Sequence, residues 1–109
     1  MERIPQLLSY LNDNPGDAFL NYALALEYIK IGDKEEGRKY FEHLVNIQPD
    51  YVGTYYHLAK LYISMKLPEQ AEQCYQSGIA VAQKLGDQHA LAELQNAALN
   101  FRLGLDDED

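Results

Sequence analysis

The sequence predicts an all-α protein made of antiparallel helix pairs, with about six helices in all. Three observations predict it. A residue pattern recurs at an offset of 34 positions, its apolar members fall at helical spacing, and no segment sustains the two-residue alternation of a strand. Setting residues 18–51 above residues 52–85 places Tyr22 on Tyr56, Leu24 on Leu58, Ala25 on Ala59, Tyr28 on Tyr62, Ile29 on Ile63 and Glu35 on Glu69. Gly37 meets Ala71, both small, and Phe41 meets Tyr75, both aromatic. A period of this length marks stacked supersecondary units, none of which buries its apolar face alone.

The elements follow in order. A first helix over residues 3–13 ends in the turn cluster of residues 12–15, whose Pro15 precedes Pro49 by the same 34 positions. The helix over 18–31 carries Leu24, Ala25 and Tyr28 at i, i+1 and i+4, one stripe of a 3.6-residue period. Gly32 tolerates the left-handed exit from it, and Asp33 with Glu36 has the form of a capping box for the helix over 34–47. Leu58, Ala59 and Tyr62 repeat the stripe in the helix over 52–65, and Pro68 opens the helix over 68–85. The helix over 88–103 presents Leu91, Leu94, Ala98 and Phe101 on one side and is read as a cap over the exposed core. Residues 104–109 form an acidic tail expected to fray, since like charges in sequence repel. Leu24, Tyr28, Phe41, Leu58, Tyr62, Ala71 and Tyr75 are the expected core.

Composition narrows the function. The 109 residues form one domain, 47% hydrophobic, with no interdomain linker. A net charge of −8 argues against nucleic acid and anionic membrane surfaces, which both need a basic footprint. No apolar run approaches the ~18 residues of a membrane span, and the amino terminus lacks the pattern of a secretory signal. The single cysteine, Cys74, suits a reducing cytoplasm and reads as a small packing residue rather than a nucleophile. His43, His57 and His89 lack a second His or Cys at metal-ligand spacing, so no metal is expected. Glu35, Glu36, Glu69 and Glu72 belong to helix starts, where they complement the dipole. With no phosphate-cradling glycine motif and no convergent acid, base or nucleophile, neither an enzyme nor a cofactor site is expected.

The two units resemble the tetratricopeptide repeat family. Leu24, Ala25, Tyr28, Gly32, Gly37, Phe41 and Pro49 carry the resemblance in the first (18–51), and Tyr55, Leu58, Ala59, Tyr62, Ala71, Tyr75 and Gly78 in the second (52–87). Residues 1–17 then resemble half a repeat and 88–103 a capping helix; the whole is similar to short stand-alone bacterial members. Asn21, where the family favours a bulky aromatic, and Leu44, where it favours a small residue, depart from the pattern. The resemblance implies a helical solenoid acting as an adaptor that holds a protein or peptide segment in a groove. The positions so implied are Phe19, Tyr22, Leu26, Ile29, Lys30, Tyr56, His57, Lys60, Ile63 and Ser64. The clamp that some members close on chaperone carboxylates is missing, because Tyr22, Leu26 and His57 stand at its Lys and Asn positions. The alternative is a self-associating structural subunit, a homodimer or larger, joined through the groove or a repeat-end face.

Overall fold

The computed structural model describes residues 3–105, so Met1, Glu2 and most of the predicted acidic tail lie outside the described residues. Its backbone divides into two compact units, Met1–Tyr51 and Val52–Asp109. Six helices are present, α1 (Arg3–Asp13), α2 (Ala18–Lys30), α3 (Lys34–Ile47), α4 (Gly53–Ser64), α5 (Pro68–Leu85) and α6 (Gln88–Arg102), with no strand among the described residues. The sequence reading places the ends of α2, α4 and α6 one residue further out. The difference is helix-end fraying, where cap residues leave helical geometry first.

In the first unit α1 packs on α2 and α2 on α3. Leu7, Ala23 and Leu24 form a buried cluster, with Ile4, Leu11, Leu20, Tyr28 and Tyr40 packed around it. Phe41 and Leu44 are fully buried, each burial stabilising by about 1.5–3 kcal/mol relative to exposure. Gly37 sets the α2–α3 approach: a Cβ there would lie 2.5 Å from Ile29 Cγ1 and 3.1 Å from the Ala25 carbonyl oxygen. Asn21, 1% exposed, is explained by its hydrogen bonds. Its Nδ2 donates to the carbonyls of Asp17 (2.8 Å) and Pro15 (3.3 Å), tying the turn before α2 to the helix. One expectation is corrected here. Tyr28 is half-buried, because its ring stacks on Tyr40 at the rim with centroids 5.6 Å apart.

In the second unit α4 packs on α5 and both contact α6. Tyr55, Leu58, Ala59, Leu61, Tyr62, Ala71, Cys74, Tyr75, Ala82, Leu94 and Ala98 are buried. Gly78 sits where the three helices meet, and a Cβ there would fall 2.6 Å from Tyr55 Cβ and 3.2 Å from Leu94 Cδ1. The Cys74 thiol donates to the Tyr55 carbonyl at 3.4 Å, and burial pushes its pKa up to about 12. Two residues earlier on α5, the Glu72 carboxylate is gripped by Arg102 of α6 through bonds of 2.6–3.1 Å. The guanidinium holds the Glu72 carboxyl below the usual carboxylate range.

The helix ends repeat as the sequence does. Gly32 (φ 89°), Gly86 (φ 71°) and Gly104 (φ 72°) adopt the left-handed conformation after α2, α5 and α6, and Lys66 (φ 63°) adopts it after α4. After α2, Gly32 N–H donates to Ile29 O (2.9 Å) and Asp33 N–H to Tyr28 O (2.9 Å). After α4, Lys66 N–H donates to Ile63 O (3.0 Å) and Leu67 N–H to Tyr62 O (2.9 Å). Both pairs satisfy the carbonyls a helix leaves open. The predicted capping box forms only its forward arm, Asp33 Oδ1 accepting from Glu36 N–H at 3.2 Å. The Glu36 carboxylate turns instead to Lys39 Nζ at 3.1 Å. Asp17 and Asp87 cap α2 and α6 in the same forward manner.

Three outcomes are expected from this packing. Ala59→Leu, at a position with no exposure, should lower stability by about 1–3 kcal/mol in chemical denaturation through overpacking. Lys66→Gly should raise it by about 0.5–1 kcal/mol, since a non-glycine residue is penalised at positive φ and only part of that gain is offset by a freer unfolded chain. Cys74 should resist alkylation by iodoacetamide near pH 8 in the native protein and react readily in denaturant, as read by mass spectrometry.

Candidate functional site

A cleft opens between α4 and α6 within the second unit. Tyr56 and Lys60, one helical turn apart on α4, form one wall; Glu93, Asn96, Ala97 and Asn100 of α6 form the other. The volume enclosed is about 220 Å³. The α6 residues follow at i, i+3, i+4 and i+7, so a single side of that helix faces the opening. Its opposite side, through Leu94 and Ala98, is held in the core. The cleft therefore stands on a rigid pair of elements.

Its chemistry is mixed. Asn96 and Asn100 each carry two amide donors and a carbonyl acceptor, Lys60 a cation, Glu93 a carboxylate and Tyr56 a ring with a hydroxyl. His57 stands edge-on to Tyr56 with ring centroids 5.4 Å apart. Its half-burial lowers its pKa, against an opposing pull from the Glu93 carboxylate, so the imidazole is held toward its neutral form. Among the described residues no group of three His, Cys, Asp or Glu side chains could hold a metal ion. No helix among them is long and apolar enough to cross a membrane.

The structure places the ten residues singled out from the sequence as follows. Tyr56 and Lys60 line the cleft, and the His57 ring stands edge-on to that of Tyr56. Ile63 and Ser64, further along α4, are half-buried, with Ser64 Oγ donating to the Leu61 carbonyl at 2.8 Å. On α2, Phe19 is 60% exposed, Lys30 is exposed and Leu26 half-buried. Tyr22 turns inward, its ring 6.1 Å from that of Phe41 and 5.6 Å from that of Tyr51. Ile29 meets α3 at Gly37. Glu93, Asn96, Ala97 and Asn100 were missed, because α6 was read only for its inner stripe; the polar spacing beginning at Glu93 was the available signal. A shallower depression on α3, bordered by Glu36, Lys39, Tyr40 and His43, is formed by neighbouring turns of one helix.

A family model described as tetratricopeptide repeat matches residues 28–98. A crystal structure of a tetratricopeptide repeat domain protein from Salinibacter ruber is 46% identical, with a TM-score of 0.76 over 83% of this chain and 99% of that one. A solution NMR structure of a tetratricopeptide repeat domain protein from the same organism is likewise 46% identical, with a TM-score of 0.79 over 84% of this chain and 92% of that one. No curated protein matches. Tetratricopeptide repeats generally mediate protein–protein interaction and typically bind proteins or peptides, and they are generally non-enzymatic scaffolds. With a family match over most of its length and the paired helices to account for it, the chain belongs to the tetratricopeptide repeat family.

Proposed function

We propose that this protein is a non-enzymatic adaptor that binds a peptide or protein segment, and that the α4–α6 cleft receives it. The observation that supports this reading is the facing of Tyr56 and Lys60 by Asn96 and Asn100 across an open, water-accessible volume. A peptide unit offers one donor and one acceptor, and a carboxamide can meet both. Tyr56 offers contact area at low entropic cost, Lys60 favours an acidic side chain, and Glu93 favours a basic one. The cleft therefore suits a polar segment carrying charges of both signs rather than a uniformly acidic one. Within the first unit, Phe19, Tyr22, Leu26, Ile29 and Lys30 of α2 are proposed as a separate contact set. On α4, His57 orients Tyr56, and Ile63 and Ser64 continue the same helix. A cytoplasmic setting is part of the proposal, in keeping with the single free thiol of Cys74.

The test is to select binding peptides from a random display library with the wild-type protein and measure their affinities calorimetrically. Asn96→Ala combined with Asn100→Ala should weaken a selected peptide about tenfold or more, given about 0.5–1.5 kcal/mol for each lost hydrogen bond. Lys60→Glu should weaken peptides that carry an acidic residue and change their salt dependence. Both asparagines are exposed, so the melting temperature should hold. Selected peptides that bind the double variant with unchanged affinity would place recognition elsewhere.

A further inference from the structure

The cleft wall on α6 ends at Asn100, and the last turn of that helix is held differently from the rest. Leu94 and Ala98, 1% and 0% exposed, lock the middle of α6 into the core. Past Ala98 no described residue of the helix is buried, and Phe101, half-buried, reaches the Tyr75 ring at 6.0 Å. Because α6 lies chiefly along α5 and meets α4 only lightly, this turn is placed from the α5 side.

A clasp does the placing. Arg102 Nε donates to Glu72 Oε1 (3.0 Å) and Oε2 (3.1 Å), and Nη2 donates to Oε2 (2.6 Å). Gln76, one turn along α5, donates from Nε2 to the same Oε2 at 3.0 Å and so holds the carboxylate ready for the fork. Parallel bonds from a planar guanidinium fix direction as well as distance. The two side chains keep 45% and 30% exposure, and an ion pair in that setting adds little to stability. What it adds is orientation.

The helix carries that orientation to the cleft. Side chains two residues apart lie about 200° apart around the axis, so Arg102 and Asn100 point to nearly opposite sides, one to α5 and one to the cleft. The turn that holds them moves as one piece, because the exit closes on it. Leu103 N–H donates to Leu99 O (2.9 Å), Gly104 N–H to Phe101 O (3.1 Å) and Leu105 N–H to Asn100 O (2.8 Å).

We propose, on the reading that the α4–α6 cleft is the binding site, that Arg102 and Glu72 are positioning residues for it. Their clasp fixes the roll of the last turn of α6, and with it the place where the Asn100 amide meets a bound segment. Gln76 supports the carboxylate. Affinity then depends on side chains outside the cleft.

A double-mutant cycle between Arg102→Met and Asn100→Ala, read by calorimetry on the whole chain, tests this. The ligand is a display-selected peptide that the combined Asn96→Ala, Asn100→Ala variant weakens; a library that yields none overturns the cleft reading itself, and the clasp with it. Arg102→Met should weaken that peptide about fivefold in the wild-type background and have no effect once Asn100 is alanine, because the two residues act through one contact. Against Asn96→Ala the same change should simply add, since Asn96 lies between Leu94 and Ala98 in the part of the helix that the core holds. A general loosening of the fold would weaken binding equally in every background. Should Arg102→Met disturb folding, Glu72→Met, which leaves α6 unchanged, takes its place in the cycle with the same outcome expected. Indifference to Asn100→Ala alone, no loss on Arg102→Met, a loss of the same size in the Asn100→Ala background, or equal coupling to Asn96 would each overturn the clasp while the cleft stands.

Discussion

Where Gly37 lies against Ile29 and the Ala25 carbonyl, and where Gly78 lies against Tyr55 and Leu94, there is no space for even a Cβ. Each unit depends on one such approach. With backbones this near, the flanking Phe41 and Tyr75 can be wholly buried and Leu24 and Leu58 reach 0–3% exposure. A methyl group at either glycine would strike Ile29 Cγ1 or Tyr55 Cβ, atoms close to the backbone that cannot swing aside as a side-chain tip could. The rest of the packing is arranged around that limit: aromatic residues fill the wedge beside each glycine, and the small Ala25, Ala59, Ala71 and Ala82 extend the close seam.

The period carries this constraint at Gly37, whose counterpart is the small Ala71, and not at Gly78, whose counterpart is Leu44. A residue that must be small, with an aromatic four positions later, leaves a mark in each repeat: Gly37 with Phe41, and Ala71 with Tyr75. The helix exit was legible at Gly32, where glycine marks it, and obscure at Lys66, where a lysine accepts the same positive φ because the hydrogen bonds to Ile63 and Tyr62 fix the turn around it. Asn21 was read only as a departure from a family pattern. Its function as a buried tie to the Pro15 and Asp17 carbonyls depends on a turn geometry that one-dimensional spacing does not contain.

The candidate site was half legible. The family resemblance implied Tyr56 and Lys60 on α4, which lie a helical turn apart on one side of that helix. It did not foresee the packing contacts that Tyr22 and Ile29 make within their own unit, because Tyr and Ile suit a core and a binding surface equally well. The opposite wall was hidden for another reason. The apolar stripe of α6 accounted for the helix as a cap, and Glu93, Asn96 and Asn100 then looked like ordinary solvated residues.

Three sides of α6 carry three different kinds of residue. Leu94 and Ala98 close the core of the second unit. Glu93, Asn96 and Asn100 complete a polar cleft against α4. Ala92, Leu99 and Leu103 form a third, exposed stripe, in which Gln95 stands where the earlier repeats have Tyr28 and Tyr62. A tyrosine there would add apolar surface to a stripe already exposed and raise the risk of indiscriminate association, whereas glutamine keeps the middle of the stripe hydrated. The cleft and the bare stripe thus lie on adjoining sides of one helix, and the core contact fixes the orientation of both.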